Sequence, residues 1–90
     1  MLEIFFEVAA DEAMAALEAE PDNAELVQAI WDVLLRLAAN PGDPKLGSRV
    51  FQVAELAHAR ITPVPGSADW RMIWQVRDGA LVVILPKRIA

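Results

Sequence analysis

The sequence has no cysteine and no tyrosine, one histidine, two serines, and no lysine or arginine before residue 36. Each shortage removes a class of function. Without cysteine there is neither a disulfide framework nor a thiolate metal site, and the spacing of the single histidine supplies no zinc motif, so no metal and no cofactor is expected. The chemistry fits a reducing compartment, and a cytoplasmic location is expected. Ser48 and Ser67 lie outside any nucleophile elbow, which argues against a Ser-His-Asp hydrolase. No glycine-rich phosphate loop occurs. The start, Met1–Leu2–Glu3, lacks the basic region of a secretory signal, and the longest apolar run, Ala80 to Pro86, is far too short for a bilayer. A membrane is therefore not an expected partner.

What is present is an apolar, acidic chain of 90 residues, 56% hydrophobic with a formal charge of −5. That length suits one domain, residues 1–90, with a single core. The apolar excess fits either a dense core or a surface that a partner covers. The charge is unevenly spread. Residues 1–35 hold nine acids and no base, whereas residues 36–90 hold eight bases against Asp43, Glu55, Asp69 and Asp78. Either the halves neutralise each other across the fold, or one side of the molecule faces an anion.

Residues 2–8 alternate, with Leu2, Ile4, Phe6 and Val8 on one face, and predict a strand. Residues 10–19 are rich in helix formers, with acids in the first turn where the helix dipole favours them. Pro21 breaks the chain, and Asp22 with Glu25 resembles a capping box opening a second helix. From Glu25 to Ala39 the apolar positions recur at helical spacing and leave a narrow polar face. Such a helix is either well buried or has a second surface to cover. Residues 40–47 read as a loop. Arg49 to Ile61 reads as a strand, although "VAELAHA" would tolerate a helix. After a connection over 63–69, Trp70–Val76 and Ala80–Leu85 form a hairpin around Asp78–Gly79. The expected order is β-α-α-β-β-β, an α+β domain with a helical hairpin packed on one face of a small, mostly antiparallel sheet.

Alternation puts Trp70, Met72, Trp74 and Val76 on one face of their strand and Arg71, Ile73 and Gln75 on the other. If the tryptophans pack under the helices, Arg71 stands on the open side. Arg60, Lys87 and Arg88 are expected to join it there. Guanidinium forks with an ammonium are what phosphate recognition calls for, and such charges also stabilise a transition state in which phosphate oxygens gain charge. The plainer alternative pairs Arg71 with Asp69, Asp78 or an amino-terminal glutamate. His58 is a candidate general base near neutral pH, or a packed strand histidine. Glu3 and Glu7 read as a solvated strand edge.

Beyond these patterns, the chain resembles the RelE/ParE superfamily of bacterial toxins from type II toxin–antitoxin modules. Trp70–Arg71–Met72–Ile73–Trp74 resembles that family's aromatic–Arg–apolar–apolar–aromatic strand, and Val82 to Arg88 its apolar strand with a basic end. "LAHARI", with Arg60 at the arginine, and "LAANP" at residues 37–41 resemble two further segments. The resemblance implies a ribosome-dependent mRNA endoribonuclease that needs no metal. In it the ribose 2′-OH attacks the neighbouring phosphate, translation is inhibited and growth arrested. By position Arg71 and Arg88 would be catalytic, with His58 in place of a missing base; Arg60 and Lys87 would bind substrate. It implies a cognate antitoxin, and the ribosome with its mRNA as target; the alternative is a binding protein of the same fold that cuts nothing, either a ParE-like inhibitor of DNA gyrase or an inactive toxin or adaptor bound by a partner helix. The sequence departs from RelE at Ala57 and Ala59, where RelE carries lysines, and in having no tyrosine.

Overall fold

The structure is a computed structural model that describes residues 1–51 and 58–89. Strand β1 (Glu3–Phe6) leads into α1 (Val8–Glu18) and, after a 3-10 turn at Pro21–Asn23, into α2 (Ala24–Ala39). A second 3-10 turn precedes the short β2 (Arg49–Val50), and β3 (Arg60–Pro63), β4 (Trp70–Arg77) and β5 (Ala80–Arg88) complete one sheet. The strand order is β1-β5-β4-β3-β2, with β1 parallel to β5 and the other neighbours antiparallel. The expected α+β architecture is what forms. The stretch read as one strand from Arg49 to Ile61 instead supplies two antiparallel strands at its ends. Most of "VAELAHA" lies outside the described residues.

Alternating strands against helical periodicity produce one main core. Ile30, Val33, Leu34, Leu37 and Ala38 of α2 pack with Met14 of α1 against Met72, Trp74, Leu81 and Val83 of the sheet. Leu2, Ile4, Phe6, Leu26, Val27 and Trp31 close over its rim, with the Phe6 and Trp31 rings edge to face at 5.5 Å. The apolar character of α2 is thereby accounted for. Leu35 is its only large hydrophobic side chain left exposed among the described residues, so the helix is simply well buried and keeps no second apolar stripe. Two local expectations give way. The start of α2 is capped by Asn23 without a side-chain bond, because the turn at Pro21–Asn23 occupies the place of the capping box. Val8 is exposed, because the chain has already turned into α1 there.

The face away from the helices is not bare. Ala59, Ile73 and Ile84 are buried there, with Phe51, Ile61 and Leu85 packed around them. The reason lies in the β4–β5 ladder. Ile73 pairs with Leu85 and Trp74 with Val83, so Ile84 is an extra residue, a β-bulge. Bulges bend a strand and re-aim the side chains beyond them. Here the bulge puts both Ile84 and Leu85 on the outer face and reverses the facing of every later residue of β5.

Candidate anion site on the open sheet face

Residues directly opposite each other in a sheet share a face, so the register decides which cations meet. Arg71 pairs with Lys87, on the outer side. Arg49 pairs with Ile61, which pairs with Ile73, so Arg49 is outer too. Strand spacing and rise put the Arg49 and Arg71 backbones about 12 Å apart, within joint reach of two long side chains. Arg60 pairs with Trp74 and Arg88 with Trp70, and both tryptophans pack toward the helical core.

The expected convergence of residues 60, 71, 87 and 88 therefore holds for Arg71 and Lys87 only. Without the bulge, β5 would have presented Arg88 to the open face and Lys87 to the helical side. With it, Arg88 lies 3.7 Å from Asp69 at the sheet's end. Arg60 is exposed on the helix-facing side of β3, beside Val50. His58 is not a strand residue: it is exposed in a turn with a left-handed φ of 66°. It lies beyond Ala59, at the opposite end of β3 from Pro63, which is the partner of Arg71. The length of β3 separates it from Arg71 by more than about 13 Å.

Arg71 is held rather than neutralised. Its Nη1 donates to the carbonyl oxygens of Trp70, at 2.9 Å, and Ala68, at 3.1 Å. Among the described residues no carboxylate lies within 4 Å of Arg71, Lys87 or Arg49; the ion pairs there are Arg36–Asp43, Arg77–Glu7 and Arg88–Asp69. The expected alternative, Arg71 paired with Asp69 or Asp78, is not what forms. Like charges opposite one another on a ladder cost stability, so the Arg71–Lys87 pair is an arrangement that a bound anion would relieve. At the other end of the outer face, Glu7 meets Arg77 at 3.0 Å, so Glu7 is a partnered residue and not a bare edge.

Arg49 escapes a reading of the sequence because "SRVFQVAELAHARI" looks like one strand. Its signal is the step of two from Arg49 to Phe51, which aligns with the apolar outer residues once β2 is recognised as a strand of its own. No group of three or more potential metal ligands occurs among the described residues. No helix among them is long and apolar enough to cross a membrane.

No protein-family model and no curated protein matches the chain. Solved structures do. The YoeB/ParE toxin from Agrobacterium tumefaciens superposes with a TM-score of 0.82 at 13% identity, covering 99% of this chain and all of that one. The YoeB–YefM complex from Staphylococcus aureus gives 0.78 at 15% identity, with 100% and 99% covered. The DinJ–YafQ toxin–antitoxin complex from E. coli gives 0.68 at 14% identity, with 97% and 91% covered. At such identities the likeness is one of fold: from end to end, this chain has the fold of RelE/ParE-type toxins.

Proposed function

We propose that this protein is the toxin of a toxin–antitoxin module and that it cleaves mRNA on the ribosome, using the cations of its open sheet face. The observation that carries this reading is the Arg71–Lys87 pair, side by side on β4 and β5, with no carboxylate within 4 Å among the described residues and with Arg71 anchored through two carbonyls. Arg71 and Lys87 hold the scissile phosphate and stabilise the charge that builds on its oxygens as the 2′-OH attacks. Arg49 grips a neighbouring phosphate. Solved structures of this fold include complexes with the antitoxins YefM and DinJ, which supports an antitoxin as partner here.

The test is purified protein in a translating extract with a defined message. Positioned cuts that weaken at least about 100-fold in Arg71→Ala, the scale of losing one charge-stabilising donor, are the expected result. Intact message at high dose would end the nuclease reading.

A second reading has its own support. His58, the single histidine, lies at the far end of β3 from Arg71, so the general base suggested by the sequence does not adjoin it. A toxin that binds without cutting, as a gyrase inhibitor would, needs only the cationic face. A gyrase supercoiling assay separates the two: inhibition with uncut message favours the binder.

A further inference from the structure

Opposite the anion face, the helical side carries a cleft of about 390 Å³ between the start of α2 and the β3–β4 connection. Trp70, Leu26, Ala29 and Pro65 form its apolar walls, and Asp22 and Glu25 stand at it. The local sequence builds it. Val64 N–H bonds to the Trp70 carbonyl and Ser67 N–H to the Val64 carbonyl, and Gly66 takes a left-handed φ of 80° in the loop that lines the cleft together with Trp70. Trp70, at the start of β4, stays half-buried.

The carboxylates have no cation to answer them. Among the described residues, neither Asp22 nor Glu25 has a base within 4 Å, and residues 1–35 contain none. An indole face beside two carboxylates is what a guanidinium or ammonium seeks, through the ring quadrupole and charge-assisted hydrogen bonds. The volume sits at the small end of ligand pockets, enough for one long side chain and part of its neighbours. Leu26, Ala29 and Pro65 offer apolar contact to the stem and to flanking residues.

We infer that this cleft is a second recognition site, which takes an arginine or lysine side chain from a basic segment of a partner polypeptide. The inference rests on the cleft alone and does not depend on the proposed function. It gives the molecule two surfaces of opposite preference: cationic on the open sheet face, anionic and aromatic on the helical side.

The test is an NMR titration of the full chain with acetyl-Leu-Arg-Leu-amide, its citrulline analogue, which keeps the shape without the charge, and arginine amide alone. The arginine peptide should move the Trp70 indole N–H and the Asp22 and Glu25 amides in a saturable way. The citrulline peptide should bind about tenfold more weakly or worse, and the exposed double variant Asp22→Asn/Glu25→Gln should weaken the arginine peptide to a similar degree. Equal binding of the citrulline peptide would overturn the inference, as would shifts away from the cleft or none at all. Arginine amide binding as tightly as the peptide would also overturn it, by pointing to a small amine and not a polypeptide.

Discussion

Thr62 Oγ1 accepts from the Trp74 indole N–H at 2.7 Å and lies 2.7 Å from Ser48 Oγ. The threonine is fully buried, so this one hydroxyl satisfies the largest side chain of the core and ties β3 to the loop before β2. Thr62→Val would strand the indole N–H in the core, at a cost of about 1–3 kcal/mol. Thr62→Ser keeps the acceptor and should cost less; urea denaturation of the two variants checks this. On the outer face the order of effects differs. Lys87→Ala should lower toxin activity more than Arg88→Ala, because Lys87 neighbours Arg71 whereas Arg88 faces the other way. Removing Lys87 should leave stability unchanged or raise it by a few tenths of a kcal/mol as a like-charge contact disappears. Equal activity losses in the two variants, measured in the same extract, would contradict the register-based assignment.

Among the elements, the β4–β5 hairpin does most to position the site. Its two-residue turn has left-handed φ values at both Asp78, 52°, and Gly79, 76°, which match the twist of the flanking strands. A Cβ on Gly79 would meet nothing within 4 Å, so Gly79→Ala isolates backbone strain. The variant should lose about 1–2 kcal/mol, measurable as a lower urea midpoint with an unchanged slope. The hairpin was plain in the sequence because Asp-Gly between β-rich runs is a local signal. The division of Arg49–Ile61 into two strands was not. β2 is two residues long, too short for any period to register, and exists only because β3 offers it an edge. The burial of α2 was likewise open in the sequence, since hydrophobic spacing counts apolar positions without saying how many neighbours will cover them.

Across the whole molecule, the acid-rich first 35 residues form β1, α1 and most of α2, while Arg49, Arg71 and Lys87 lie on the outer face of the sheet. The net charge of −5 therefore conceals a cationic surface. On the proposed function, a polyanion would approach by the Arg49–Arg71–Lys87 end of that face and be repelled by the helical side. Binding of a fluorescent single-stranded RNA should fall with salt. On a log–log plot each phosphate contact contributes a slope of about −0.7, and Arg49→Ala, Arg71→Ala and Lys87→Ala should each remove about one such increment. A slope insensitive to Arg49→Ala would confine the site to Arg71 and Lys87 and leave the rest of the functional reading intact.

The sequence by itself determined the elements that rest on local physics: the first strand, both helices, the Asp-Gly hairpin, and the separation of Arg71 from its flanking tryptophans by simple alternation. The tertiary structure alone decided which cations share a surface. A single extra residue, Ile84, shifts the register against β4 and turns Lys87 outward in place of Arg88. Alternation along one strand cannot foresee this, because a bulge is a property of two strands and of the cores that each face has to fill.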